Sequence, residues 1–215
     1  MDLASTGHSA ALSPLAALSK LWGPLAPTHI IRNRHSENHW IRFHSLPDSK
    51  RYADTEAEWE ILLDRHHRVL AWLAESSNEG GVTDEDHLVL FTETGSWSAE
   101  DIPTPDLFQQ WSISRQEYIY SACSSDFDPE GADEGAYWWF HFYAGYVSRA
   151  PSSLNPLLRA VADDEIDNVI LAPPTFSWLF CPYDGGMDIF IRSSRDRAAL
   201  RKRFPSWLSP RPDGL

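Results

Sequence analysis

Apolar positions recur most regularly between Thr55 and Glu75, where Trp59, Leu62, Leu63, His66, Leu70 and Leu73 fall at helical spacing and form one stripe. Thr55 and Glu58 stand at the start of this helix with capping-box spacing, in which each side chain satisfies the other residue's free backbone N–H. Ser76 to Gly81 ends it. A shorter helix is predicted over Pro14–Trp22, with Leu15, Leu18, Leu21 and Trp22 on one side and Gly23-Pro24 as its stop. Asn155 and Pro156 read as the N-cap and first position of a third helix reaching about Ala162. It stops before Asp163-Asp164-Glu165, because negative charge is unfavourable at a helix C-terminus. A basic helix over Ser194–Arg203, with Leu200 and Phe204 inward, is ended by Pro205, and the tail Trp207–Leu215 reads as extended.

Between the helices the period changes to two. His39–His44 and Tyr137–Tyr143 read as strands, the latter as a run of aromatic rings suited to a pleated surface. His87–Thr92 is a mostly apolar run and predicts a central strand covered on both faces. Thr94–Pro105 is rich in Ser, Thr, Pro and acid and reads as a loop. Arg115–Ala122 places Tyr118, Tyr120 and Ala122 on one face against Glu117, Ile119 and Ser121 on the other. Three further strands are expected at Asn168–Leu171, Ser177–Cys181 and Met187–Arg192, the last two joined by Tyr183-Asp184-Gly185-Gly186, whose glycines allow positive φ in a tight turn. The order α-β-α-β-β-β-α-β-β-β-α predicts an α+β fold with a mainly antiparallel sheet against a few helices. We read residues 1–215 as a single domain, with 1–27 as an N-terminal helical extension.

Composition narrows the class. The chain has 215 residues, 42% of them hydrophobic and 13% aromatic, which is incompatible with disorder. Its net charge of −13 opposes binding nucleic acid over the whole surface. No apolar run approaches the ~20 residues that cross a bilayer, so no membrane partner is expected. No positive residue precedes the apolar stretch Leu12–Leu25, so it does not read as a secretory leader, and a cytoplasmic protein is expected. Cys123 and Cys181 then read as free thiols in the core. Fifteen of the 18 basic residues are arginine, the side chain suited to bidentate pairing with carboxylates.

Candidate chemistry is sparse. There is no H-E-x-x-H, C-x-x-C, G-x-S-x-G, G-x-x-x-x-G-K-[ST] or G-x-G-x-x-G, so no metal, cofactor or catalytic residue is assigned. His29, His35, His39 and His44 lie close in sequence, but His39 and His44, five apart on a strand, point to opposite faces. His66 lies on the apolar face of its helix and reads as a hydrogen-bonded buried imidazole. The stretch 126–135 holds five carboxylates and no base: Asp126, Asp128, Glu130, Asp133 and Glu134. It lacks the spacing of a calcium-binding EF-hand loop, and so acidic a loop reads first as solvated, with contact to a partner as the sharper reading and a metal ion as the third. Trp138 and Trp139 follow directly and, being adjacent in a strand, face opposite sides. Aromatic rings beside carboxylates suit a protein-binding patch. In the C-terminal hairpin, Asp184 reads first as a turn cap; the sharper reading places Tyr183, Asp184 and Asp188 at a site.

The stretch Trp178–Phe190 resembles the "YD.RGMD" core of a bacterial family of domains of unknown function, with Tyr183, Asp184, Gly186, Met187 and Asp188 at the matching positions. It departs at Gly185, where that family commonly has arginine, and the ending Phe204–Leu215 resembles the close of small uncharacterised proteobacterial proteins. The resemblance covers about the last 50 residues; it implies a bacterial origin and no activity. The leading expectation is a non-catalytic protein that binds another protein, in its most specific form an immunity or antitoxin-like inhibitor whose acidic surface covers a basic toxin. The alternatives are a small hydrolase with its site near the C-terminal hairpin, and a domain with no specific partner. The hydrolase would use Asp184, Asp188 or a histidine near that hairpin, and a pocket that brings His141, Asp184 and Asp188 within hydrogen-bond reach would overturn the binding reading.

Overall fold

The computed structural model describes residues 7–35, 38–76, 87–103, 114–127, 138–209 and 211. Its helices are α1 (Gly7–Trp22), α2 (Thr28–His35), α3 (Glu56–Ser76), α4 (Ser124–Phe127), α5 (Pro151–Ala162) and α6 (Ser194–Arg203). Its strands are β1 (Trp40–His44), β2 (His87–Ser96), β3 (Ser114–Cys123), β4 (Trp139–Ser148), β5 (Ile170–Ala172), β6 (Trp178–Tyr183) and β7 (Gly186–Ile191). The seven strands form one sheet in the order β1-β7-β6-β5-β2-β4-β3, and every pairing is antiparallel. The fold is therefore α+β, as the element order predicts.

The sheet is covered on both faces. Leu88 and Leu90 of β2 join Ile41, Phe43 and Ile189 under α3 and α5, while Val89 and Phe91 turn the other way to meet Leu18, Trp22 and Ile31 of α1 and α2. That alternation explains why β2 reads as a continuous apolar run. The capping box of α3 is present: the Glu58 N–H donates to Thr55 Oγ1 at 3.3 Å, and the Thr55 N–H donates to Glu58 Oε2 at 3.2 Å. His66 is buried in the stripe, 2.8 Å from Ser45 Oγ and edge-on to Phe180.

Four local expectations are corrected. Helix α5 begins at Pro151, not at Pro156, which lies inside it. Proline is pre-set for a first helical position, and Pro151 takes that place. Pro156 leaves only the exposed Ser152 carbonyl without its helical donor. Asn155, instead of capping, lies 2.6 Å through Oδ1 from His67 Nε2. The loop expected from Thr94 starts later, because β2 continues to Ser96 along the ten-residue partner β4. In β3 the register slips by one: Tyr118 opposes Tyr143 and Tyr120 opposes Phe142. This bulge puts the two tyrosines on opposite faces, where simple alternation puts them on one. The tail turns through a short 3-10 segment, Pro205–Trp207, so that Trp207 stacks on Phe204, and Leu208 bridges to Phe43.

The turn between β6 and β7 uses its glycines differently from the expectation. Gly23 is the only glycine with positive φ among the described residues, so neither Gly185 nor Gly186 needs that freedom. Gly186 is needed for space: a Cβ there stands 2.1 Å from the Phe43 carbonyl oxygen of β1.

Candidate functional site

Three places in the fold gather polar or exposed aromatic groups. The first is the β6–β7 hairpin. Asp188 lies on the α1–α2 face, opposite Arg42 of β1. Arg42 grips it with two bonds, Nε to Oδ1 at 2.8 Å and Nη2 to Oδ2 at 2.7 Å, and the Trp40 indole N–H donates to Oδ1 at 2.7 Å. The Arg42 guanidinium also lies over the Tyr183 ring. Burial, more than its charged neighbours, pushes the Tyr183 phenol well above its usual range. Asp184 accepts from Arg51 Nε and from the Tyr52 hydroxyl. Both hairpin carboxylates are thus held by arginines in the geometry expected of structural ion pairs.

The second place is the β2–β4–β3 end of the sheet. Trp138 lies over Gly95, where a Cβ would stand 2.1 Å from its indole, so only glycine seats the ring there. Trp97 meets Trp138 edge-on at 4.9 Å and is 73% exposed. Exposed Glu100, Asp101 and Ile102 follow in the same turn. Asp126 is exposed, and its Oδ2 accepts the Cys123 N–H at 2.8 Å at the start of α4. Asp128, Glu130, Asp133 and Glu134 lie outside the described residues. Trp138 shares the Gly95 side of the sheet, and the alternation of β4 turns the half-buried Trp139 to the other side.

Charge is uneven along the sequence. The stretch 69–148, which supplies β2, β3 and β4, carries fifteen acids and one base, Arg115. The rest of the chain holds sixteen acids and seventeen bases, so the whole net charge belongs to that stretch.

The third place is a polar line across the same three strands. His141 is fully buried between two hydroxyls, with Nε2 2.7 Å from Ser96 Oγ and Nδ1 2.6 Å from Ser121 Oγ. Ser96 gives its single proton to the Ser98 carbonyl at 2.6 Å, so it accepts from His141 Nε2–H. His141 Nδ1 is then an acceptor, Ser121 donates to it, and the Tyr118 hydroxyl donates to Ser121 at 2.9 Å. Every proton in the line is assigned, and burial keeps the imidazole neutral by lowering its pKa. His141 on β4 and Asp188 on β7 have β6, β5 and β2 between them, ~19 Å at the usual strand spacing. His141 therefore does not meet Asp188 in one cleft.

Glu93 is a further group that the sequence reading did not single out. It lies on β2 with its side chain buried, and Oε2 has no hydrogen-bond partner. Burial, then the nearby charge of Asp167, raises its pKa well above the ordinary carboxyl value. The signal was a single acid in the run His87–Thr94; Trp97, likewise passed over, was the one large ring in a Ser, Thr and acid-rich segment.

Two buried groups set opposite pH dependences. Burial holds His66 at about 3 in the folded chain, against 6.5 when free. Unfolding therefore takes up a proton between these values, and stability is lost as pH falls from 6.5 towards 3. The lowered pKa values of His29, His39, His44 and His141 act in the same direction. Glu93 stays protonated above its free value, so unfolding releases a proton and stability is lost as pH rises. In urea titrations, His66→Gln is expected to reduce the loss between pH 6.5 and 5 by about 2 kcal/mol. Glu93→Gln is expected to gain on the wild type from pH 5 to 8, by at most ~1.4 kcal/mol per unit. A variant profile parallel to the wild type contradicts the assignment of that residue.

Among the described residues no group of three or more His, Cys, Asp or Glu side chains is placed to hold a metal ion, and no helix is long and apolar enough to cross a membrane. The chain belongs to the family described as Domain of unknown function (DUF3885), whose model matches residues 28–212, from α2 into the tail and well beyond the C-terminal hairpin. No curated protein matches the chain, and no solved structure does.

Proposed function

We propose that this chain works without catalysis, by binding a basic protein through the acidic, tryptophan-bearing end of its sheet. In the most specific form of this reading the partner is a cationic toxin whose active surface is covered. The observation that carries it is Trp97: it is 73% exposed, braced by a second indole seated on a glycine, and part of the stretch that holds the whole net charge. A rigidly supported indole is the side chain most often found at the energetic centre of an interface, and surrounding carboxylates steer a basic partner towards it. The line Tyr118–Ser121–His141–Ser96 lies beneath this end and stiffens the three strands that present it. Both hairpin carboxylates are engaged by arginine, which favours binding over their use as a free acid or base.

The test is capture of a partner from the native cell, followed by binding measurements with the purified pair. Trp97→Ala and the double reversal Glu100→Lys/Asp101→Lys are each expected to weaken binding at least about tenfold, with the reversal acting mainly on a salt-dependent association rate. Asp48→Lys, outside the acidic stretch, is expected to change little. Undiminished binding by both variants, or failure to capture any partner, overturns the proposal.

A further inference from the structure

A cavity of about 410 Å³ opens where α1 and α3 end, beside the turn before β6 and the junction of β7 with α6. It lies where the sheet stops, so apolar side chains from both of its faces reach it: Leu21 from one core, and Leu73, Trp178 and Ile191 from the other, with the half-buried Trp72. Its size is within the range of small-molecule sites, and its lining includes none of Trp97, Glu100, Asp101, Asp184 and Asp188.

Polar groups are spread among these apolar walls. Ser76, Thr175, Ser177 and Ser193 bring hydroxyls, Arg192 a guanidinium and Asp196 a carboxylate. Part of this set is already engaged: Arg192 Nη1 donates to the Leu21 carbonyl at 2.6 Å, and Ser193 Oγ accepts the Asp196 N–H at 3.2 Å as the cap of α6. These bonds fix Arg192 and the first turn of α6 in place at the mouth.

The lining decides the class of ligand. One positive and one negative side chain leave the cavity without net charge, so it favours neither an anion nor a cation. Hydroxyls both donate and accept, Arg only donates, and a carboxylate only accepts, so the set suits a ligand with several hydroxyls of its own. Two indoles and three aliphatic side chains suit a ligand with one apolar C–H face. A pyranose sugar combines these properties. We infer that this cavity is a binding site for a neutral mono- or disaccharide.

Saturation-transfer NMR on the full chain tests this, with glucose, galactose, mannose and maltose as neutral probes and glucose 6-phosphate and phenol as controls. Transfer to at least one neutral sugar is expected. Affinity should fall at least about tenfold in Trp72→Ala and in Asp196→Asn. Asp196→Asn keeps the backbone amide that Ser193 caps, and Ser76→Phe, which fills the cavity from a half-exposed position, should also abolish transfer if Trp72→Ala fails to fold. Transfer to no neutral sugar, transfer confined to glucose 6-phosphate or to phenol, or binding unchanged in Asp196→Asn and Ser76→Phe overturns the inference. The partner-binding reading stands or falls separately, because its variants are at Trp97, Glu100 and Asp101.

Discussion

Asp188→Ala is expected to destabilise the chain by about 3–5 kcal/mol, the loss seen when one partner of a buried ion pair is removed. Asp188 takes three hydrogen bonds from Arg42 and Trp40, and the side chains of Arg42 and Asp188 are only 13% and 7% exposed. Without the carboxylate, the Arg42 guanidinium remains in its place between the Trp40 and Tyr183 rings with no counter-charge. The indole N–H of Trp40 loses its acceptor at the same time. The cost comes from a stranded charge, so the double variant Arg42→Met/Asp188→Leu is expected to recover most of it, since apolar side chains of similar volume often replace a buried pair without loss. Urea denaturation of the two single variants and the double separates these terms. A single-variant loss below about 1 kcal/mol, the scale of a surface pair, contradicts the structural role assigned to Asp188.

Gly186→Ala is expected to be at least as damaging, and Gly185→Ala mild, although the two residues are neighbours. At Gly186 the added carbon meets the Phe43 carbonyl oxygen at 2.1 Å and the Tyr183 hydroxyl at 2.9 Å. The first of these is backbone in the paired strand, so β1 and β7 must part, and the pairing of Phe43 with Met187 and His44 with Gly186 is lost. We expect more than about 3 kcal/mol of destabilisation, or no folded product. At Gly185 the nearest atom is the edge of the Tyr183 ring at 3.1 Å, which a small ring movement relieves, and its φ is not in the left-handed region. Thermal melts of the two alanine variants, made side by side, give the comparison. Equal melting temperatures contradict the close approach of β1 to Gly186.

Much of the fold was legible because local rules and tertiary demands agree. Thr55, Glu58 and the stripe from Trp59 to Leu73 determine α3 by capping and periodicity alone, and Leu200 with the stop at Pro205 outlines α6. The apolar run of β2 already implied a strand covered on both sides. Where two local signals competed, the reading went astray. Asn155-Pro156 and Ala150-Pro151 both offer a helix start, and the buried Leu154 selects the earlier one by packing one turn sooner. The slip in β3 leaves no mark in an alternating pattern, because a bulge is decided by what the neighbouring strand opposes to it.

The candidate surface divides in the same way. Sequence alone determined how much acid the chain carries, that it is concentrated between residues 69 and 148, and that tryptophans accompany it. It also determined that Asp184 and Asp188 flank a tight hairpin. Only the tertiary structure decided that Arg42 and Arg51, more than 130 residues away, pair with those two carboxylates. Only it decided that β2, β4 and β3, the strands of this stretch, lie together at one end of the sheet, with Trp97 at the surface and His141 buried. Composition and periodicity are properties of neighbours along the chain; pairing a charge and exposing a ring depend on strand order, which is set by contacts between residues far apart in it.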